Sequence, residues 1–247
     1  MASGQRGAGE GAVSDGAPQR EVFCEDALGW MRSRGSWDAS VLTSLPDVSE
    51  VGLSLADWRA WFTEAAALAI AGTPPTGAAI FFQTDIKAEG TWVDKGYLVQ
   101  RAAEQAGAAL LWHKVVCRRP PGTVTFGRPA WAHLICVSRG LRELPGQATA
   151  DVLPELGEMT WSRGMGLSAC TFALRWLQTR TDSRVVLDPF CGEGSTLAVA
   201  NALGLGAVGV ELSRRRAARA RRLRAVLGPD GRLTLEGEGR PDPSSGD

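Results

Sequence analysis

The sequence predicts an α/β fold, with a single, mostly parallel sheet covered by helices on both faces. The first observation is that strand-like and helix-like segments alternate from about residue 20 onwards. The second is one strand–loop–helix–strand unit, VVLDPFCGEGSTLAVANALGLGAVGVEL at 185–212, whose loop holds two glycines. In most open α/β enzymes such a unit begins the sheet, whereas here about three quarters of the chain precedes it.

Apolar patterns locate the elements of the first half of the chain. REVFCE, DASVLTSL and GAAIFFQTD predict strands. Before the third strand, apolar residues recur on one helical face, which predicts a helix capped by Ser54 and ended by Gly72. Another helix is expected near residues 94–107. The apolar residues of the first helix are Leu55, Trp58, Phe62, Ala65 and Ala69.

The second half continues the alternation. AALLWHKVVCR and PAWAHLICVSRG predict two strands joined by a hairpin-type loop, RRPPGTVTFGR. A polar connector leads to a helix near 167–179, and the 185–212 unit follows. An arginine-rich helix is then expected to end near Leu227.

These elements predict one ordered domain, residues 20–227, with a catalytic half at 20–140 and a cofactor half at 159–227. The Gly/Ala/Ser-rich segment 1–19 and the tail 228–247 are expected to be disordered or flexible. The first residues have no apolar segment, so no secretory signal is expected.

Composition is that of an ordinary globular protein, with 44% hydrophobic and 22% charged residues among 247. No apolar run approaches the roughly 18 residues of a membrane helix. The formal net charge of zero argues against a protein that coats nucleic acid by bulk electrostatics. Five scattered cysteines without a CxxC pair predict free, mostly buried thiols, no metal site and an intracellular, cytoplasmic location, with the nucleus or an organelle left open.

The glycine loop has the features of a ligand-binding turn. Gly192 and Gly194 allow close backbone approach, and the helix that follows offers free N–H groups. The next strand ends at Glu211, whose carboxylate can accept hydrogen bonds from both hydroxyls of a ribose. The loop is not the dinucleotide fingerprint, because Leu197 stands where its third glycine is required, and it lacks the lysine of a P-loop.

The loop resembles motif I of S-adenosylmethionine-dependent methyltransferases, in the DPF-x-G-x-G-T form of amino-methyltransferases that act on DNA and some RNA. The resemblance implies a Rossmann-like class I fold, with seven strands in its sheet, and S-adenosyl-L-methionine as cofactor. It further implies that the loop holds the methionine part of the cofactor and that Glu211 holds the ribose. The cofactor residues implied in this segment are Asp188, Pro189, Phe190, Cys191, Gly192, Gly194, Ser195, Thr196 and Glu211.

In circularly permuted members of this family the catalytic half precedes the cofactor half, which would explain the late loop. The family's catalytic motif is [Asn/Asp/Ser]-Pro-Pro-[aromatic], and Ser44-Leu45-Pro46-Asp47 stands in its place. The resemblance therefore implies these four residues as catalytic. It also implies that Asp26 or Glu25 lies near the adenine of the cofactor. Arg163 is expected near the cofactor carboxylate.

The motif departs from the family at two positions, since Leu45 replaces the first proline and Asp47 replaces the aromatic. The Ser44 hydroxyl and the Leu45 carbonyl can still accept hydrogen bonds from a target amino group. Asp47 cannot stack on a base, and two interpretations stay open: a general base, or a cap on the next helix. Three aromatic residues are candidate substitutes for stacking, although core packing is the alternative for each: Trp92, Tyr97 and Trp131.

Two arginine-rich segments are candidate nucleic-acid contacts. The hairpin-type loop carries Arg118, Arg119 and Arg128, which suit phosphates; the alternative is a solvated loop. The helix SRRRAARARRLRAV is either a nucleic-acid patch or a solvated outer helix. His113 and His133 lack metal-ligand spacing and are expected to be packed or surface residues.

The resemblance implies a methyltransferase whose expected substrate is a nucleobase in RNA, since no separate target-recognition domain is evident and DPFCG also resembles RNA guanine methylases. Three alternatives stay open. They are a DNA amino-methyltransferase, a protein or small-molecule methyltransferase, and a catalytically silent binding subunit. The expected partner is nucleic acid, RNA before DNA, with no membrane; a protein partner is not indicated.

Overall fold

The computed structural model describes residues 19–160 and 164–236. Twelve strands lie in these ranges, eight of them in one sheet. The sheet strands are β1 (Arg20–Phe23), β2 (Ser40–Thr43), β3 (Ala79–Gln83), β6 (Ala109–Cys117), β7 (Trp131–Ser138), β8 (Val152–Leu153), β9 (Val185–Asp188) and β10 (Gly206–Val210); two hairpins contain β4 (Ile86–Ala88), β5 (Thr91–Val93), β11 (Arg224–Leu227) and β12 (Leu233–Glu236).

The large sheet has the order β1-β10-β9-β2-β3-β7-β6-β8. The first five strands in this order run parallel, and β7 runs antiparallel to both of its neighbours. Every residue of β2 and β3 is buried, which matches their nearly continuous apolar or small side chains. The sheet therefore has the predicted mostly parallel architecture.

Seven helices cover the sheet within the two described ranges. Their apolar residues divide between two cores: α1, α3 and α4 pack on one face, and α5, α6 and α7 on the other. None of them is long and apolar enough to cross a membrane. The helices are α1 (Ala27–Arg34), α2 (Val48–Val51), α3 (Leu55–Gly72), α4 (Lys95–Gln105), α5 (Leu167–Arg180), α6 (Ser195–Ala202) and α7 (Arg214–Arg222).

Helix α3 shows how closely local sequence determines an element. The Ser54 hydroxyl accepts a hydrogen bond from the Asp57 N–H at 3.2 Å, as an N-cap does. Trp58 and Phe62 are fully buried on the predicted apolar face. The helix ends at Gly72, where an added Cβ would lie 2.2 Å from the Trp37 ring, so glycine is required there for packing.

The central strands meet as expected from a permuted chain. The β9 strand pairs in parallel with β2, with Leu187 opposite Val41, and with β10 on its other side. After β2 the chain crosses one face of the sheet through α3, whereas after β9 it crosses the other face through α6. The chain thus diverges at the carboxyl ends of β2 and β9, where open α/β sheets bind their ligands.

Three features differ from the sequence-based expectation. The sheet has eight strands rather than seven, because the two-residue β8 pairs with β6. The arginine-rich helix ends at Arg222 rather than near Leu227, and β11 and β12 form an antiparallel hairpin through residue 236, where a flexible tail was expected from 228. Residues 1–18 and 237–247 of the predicted flexible segments lie outside the described ranges.

Candidate functional site

The glycine loop joins the end of β9 to the start of α6. Gly192 and Gly194 both have positive φ, 54° and 92°, a conformation that side-chain-bearing residues rarely adopt. A Cβ on Gly194 would lie 2.7 Å from Ala220 Cα, so α7 packs directly against the loop. The loop backbone is further fixed by the Cys191 N–H, which donates to the Val210 carbonyl at 3.0 Å.

A cavity of about 430 Å³ opens between the carboxyl ends of β9, β10 and β2. It brings together twelve of the residues that sequence patterns singled out. Gly194 and Asp47 do not line this cavity, and Arg163 lies outside the described residues. The residues brought together are Asp26, Ser44, Leu45, Pro46, Asp188, Pro189, Phe190, Cys191, Gly192, Ser195, Thr196 and Glu211.

Asp188 is a buried carboxyl group at the base of this cavity. It accepts a hydrogen bond from the Thr43 hydroxyl at 2.7 Å and from the Phe190 N–H at 3.1 Å. Burial raises the pKa of Asp188 to about 6, although the hydrogen bonds from Thr43 and Thr196 act in the opposite direction. The group is therefore close to half-ionised near pH 6.

Glu211 lies at the end of β10, only 7% exposed. Its Oε1 accepts hydrogen bonds from the Ser213 N–H at 2.7 Å and from Arg216 Nε at 3.0 Å. These contacts orient the carboxylate at the cavity wall, and the side chain is positioned to accept from hydroxyl groups of a ligand.

An aromatic wall of the cavity was not predicted from the sequence. Trp61 of α3 lines it and packs edge-on against Phe190, with ring centroids 5.7 Å apart. Trp61 lies beside the apolar face of its helix rather than in it, and an apolar face indicates which residues enter the core but not which neighbouring side chains line a ligand cavity. The cavity, its glycine turn and its carboxylates fit a nucleoside-containing cofactor.

A second, smaller pocket of about 30 Å³ adjoins this cavity on the side of β3. Ser44 and Leu45 line both spaces. The small pocket also contains Asp47, and its aromatic side chain is Phe82, at the end of β3. We call this space the acceptor pocket.

Asp47 is held in the acceptor pocket by two cations. Its Oδ1 forms an ion pair with Lys95 Nζ, and its Oδ2 lies 2.8 Å from an Nη of Arg128. The Lys95 side chain is 3% exposed and that of Asp47 is 11% exposed. Burial lowers the pKa of Lys95, and the Asp47 charge acts against that shift. Both carboxylate oxygens are thus engaged, which does not favour a freely available general base.

Asp47 occupies the N-cap position of α2 with an extended backbone. Asp47 directly precedes α2, and its N–H donates to the Glu50 carboxylate at 2.9 Å, as in a capping box. The three candidate stacking residues do not line the acceptor pocket. Trp92 and Tyr97 border a groove between α3 and α4, and Trp131 packs edge-on against His133 at 4.6 Å.

The histidines belong to a hydrogen-bonded chain. His133 is buried and its Nε2 lies 2.8 Å from Asp85 Oδ1, while its Nδ1 lies 2.8 Å from Nε2 of the exposed His113. Asp85, Asp94 and His133 have ligand atoms within 4.8 Å of one another. Asp85 also accepts from the Lys95 N–H at 2.8 Å, so this chain fixes the backbone of the residue that pairs with Asp47.

The arginines of α7 are partly committed to the fold. Arg216 pairs with Glu211, Arg219 pairs with Glu193 at 2.6 Å, and Arg221 donates to the Val22 carbonyl at 2.7 Å. The basic character of this helix is therefore explained in part by internal contacts.

Comparison with known proteins supports the resemblance. A family model described as DNA methylase matches residues 177–222, the segment from the end of α5 through the glycine loop to α7. No curated protein sequence matches the chain.

Solved structures of DNA methylases are among those that share the fold. A putative DNA modification methylase from Thermus thermophilus, complexed with S-adenosyl-L-methionine, is 20% identical, with a TM-score of 0.63 over 81% of this chain and 91% of that one. The cytosine-N4-specific PvuII DNA methyltransferase is 14% identical, with a TM-score of 0.65 over 84% of this chain and 88% of that one.

These comparisons do not support the expected preference for RNA over DNA, because the matched model and both structures are named for DNA. The solved structures share the class I fold, and with the family-model match over residues 177–222 they identify the protein as an S-adenosylmethionine-dependent methyltransferase similar to the N4/N6 amino-methyltransferases.

Proposed function

We propose that the protein methylates an exocyclic amino group of a base in DNA. The observation that carries the proposal is that Ser44 and Leu45 line both the cofactor cavity and the acceptor pocket. A methyl group held in the first space therefore meets an acceptor held in the second at this boundary, which Glu50 and Gly164 also line. The match to a DNA methylase model favours DNA over RNA as the substrate.

The roles of the chain's residues follow from this placement. S-adenosylmethionine, when bound, supplies an activated methyl group on a sulfonium. The Ser44 hydroxyl and the Leu45 carbonyl accept hydrogen bonds from the target amino group and direct its lone pair toward that methyl. Trp61 and Phe190 exclude water from the apolar wall of the cavity. Glu211 holds the ribose, and Asp26 lies at the same cavity for the adenine.

The acceptor pocket must enlarge before a base enters it, because about 30 Å³ is close to the volume of one water molecule. Arg128 is the member of the pocket free to move: its side chain is 37% exposed, whereas Lys95 is buried. We infer that the incoming nucleotide displaces Arg128 from Asp47. Phe82 then supplies the apolar surface that the missing aromatic of the motif provides in the family.

Methyl transfer to DNA is the direct test. The purified protein is incubated with S-adenosylmethionine carrying a labelled methyl group and with duplex DNA, single-stranded DNA, RNA or protein. We expect label in DNA, and N6-methyladenine or N4-methylcytosine after digestion to nucleosides and mass spectrometry. Label in RNA or protein alone would contradict the proposal. Cofactor binding by calorimetry without transfer would instead favour the silent-subunit alternative.

Cofactor affinity is expected to fall as the pH drops below about 6, where Asp188 takes up a proton. The positive groups of the cofactor favour an ionised carboxylate, so each pH unit below that pKa weakens binding by up to about tenfold. Calorimetric titrations between about pH 5 and pH 8 measure this dependence. The matched control is Asp188→Asn, whose affinity should vary little with pH across that range.

The same substitution reports on stability without cofactor. Folding raises the pKa of Asp188 above its ordinary 3.8, so its contribution to stability is complete below that value and is lost as the pH rises through about 6. Asp188→Asn removes this loss, and we expect a higher thermal midpoint than wild type near neutral pH. An unchanged midpoint together with an unchanged pH profile of binding would show that Asp188 titrates normally.

A further inference from the structure

A larger cavity, of about 1200 Å³, runs beside the acceptor pocket and along α5. Its walls are the loop start at 118–121, the segment 154–159, one side of α5 and the turn of the β11–β12 hairpin. The volume exceeds the usual range for small-molecule sites, roughly 300–1,000 Å³. We call this space the α5 groove.

Arginines dominate the charge of the α5 groove. Arg180 donates to the Gln147 carbonyl at 2.9 Å, and Arg232 lies 3.7 Å from Glu155. The remaining three have no side-chain partner among residues 19–160 and 164–236. The arginines that line the groove are Arg118, Arg119, Arg175, Arg180 and Arg232, and the acids are Glu155, Glu158 and Asp230.

Arg118 joins the α5 groove to the acceptor pocket, since it lines both. Its backbone is fixed, because its N–H donates to the Ala130 carbonyl at 2.8 Å where β6 ends and β7 begins. Its guanidinium is half-buried, and burial lowers its pKa, followed by the positive charges of Arg128 and Arg119. The Arg118 guanidinium therefore adds a positive charge without a side-chain partner among the described residues where the two spaces meet, and an anion bound there would stabilise it.

We propose that the α5 groove holds the backbone of a DNA strand, with Arg118 bound to the phosphate beside the target nucleotide and Arg175 bound to a phosphate further along. This inference rests on the proposed function, since it assigns the path of the DNA substrate. A strand in the groove places its nucleotide at the acceptor pocket and its phosphate on Arg118. Phosphates supply the anions that planar guanidinium groups bind best.

The basic helix α7 provides a matched control. It packs against β1, at the opposite edge of the sheet from β8. Arg214 and Arg215 are exposed there, and no side-chain contact is seen for either in the two described ranges. Removing them subtracts as much positive charge as removing Arg118 and Arg175, without touching the groove.

The test measures binding of a fluorescein-labelled DNA oligonucleotide by anisotropy across a NaCl series, as a single strand and as a duplex. Arg118→Ala should weaken binding roughly tenfold, and Arg118→Ala with Arg175→Ala more so. The slope of log affinity against log salt should fall by about 0.7 to 0.9 for each phosphate that the variant no longer neutralises. Arg118→Lys should keep the salt slope, and the double alanine variant of Arg214 and Arg215 should bind like wild type.

Calorimetric binding of S-adenosylmethionine, unchanged in all variants, shows that the fold is intact. Wild-type affinity and salt slope in the Arg118 and Arg175 double variant would contradict the proposed DNA path. A loss of affinity confined to the α7 variant would contradict it too, as would an absence of DNA binding by the wild type. Failure of the proposed function gives a different result: the wild type would bind DNA through these arginines and transfer no methyl group to it.

Discussion

Replacing Lys95 with methionine lowers the free energy of unfolding by about 3–5 kcal/mol, the usual cost of removing one partner from a buried ion pair. Lys95 is the buried partner of Asp47, and only the half-exposed Arg128 remains to balance the carboxylate after the change. Denaturant unfolding of the single variants Lys95→Met and Asp47→Leu measures the loss. Arg32→Met, at an exposed pair with Glu64, is the control and should change the midpoint little.

The double variant Lys95→Met, Asp47→Leu completes the cycle. Two apolar side chains of similar size remove both charges together, so we expect most of the lost stability to return. Near-wild-type stability in both single variants would show that the pair is not a buried ion pair in solution. The double variant also separates folding from chemistry, because methyl transfer by this folded variant would exclude Asp47 as a general base.

We expect Glu211→Gln to weaken binding of S-adenosylmethionine by roughly a hundredfold, because the charge-assisted hydrogen bonds that we propose between Glu211 and the ribose hydroxyls become neutral ones. The buried carboxylate is already oriented by the Ser213 N–H and Arg216. Calorimetry gives the affinity, and circular dichroism checks the fold. Glu104→Gln, on the exposed side of α4, removes an equal charge and should leave the affinity unchanged. Equal affinity of Glu211→Gln and wild type would exclude Glu211 as the ribose ligand.

The features that the sequence could predict are those whose backbone conformation is determined by nearby residues in the chain. Gly194 must sit in a left-handed turn, Ser54 must cap its helix, and the buried strands β2 and β9 carry nearly continuous apolar residues. The hairpin after α7 also had a signal, the turn sequence GPDG at 228–231, but the alanines and arginines before it favour helix on propensity.

The contacts that sequence could not predict join residues far apart in the chain. The pairing of Asp47 with Lys95 depends on how α4 packs against α3 and against strands β3, β6 and β7, and neither local sequence pattern specifies the distance between the two side chains. By its local pattern, Lys95 is an ordinary surface residue at the start of an amphipathic helix. The two-residue strand β8 is too short to produce any alternation, so the eighth strand had no sequence pattern to indicate it.

The pairing of β1 with β10 has a consequence for how the chain reaches its native state. Arg20 lies opposite Ala207, so this edge closes only after nearly all of the described chain has been synthesised. Strand β2 also lacks one of its neighbours until late in synthesis, since its partner β9 begins at Val185. A nascent chain that stops before that point holds a buried strand with one open edge, and contacts of such long range make folding slow. Arg20 then stabilises the paired edge, because its guanidinium donates hydrogen bonds to the Ala220 carbonyl at 2.8 Å and to Asn201 at 2.7 Å. Completion of the cofactor half is thus the event that commits the whole domain to its final topology.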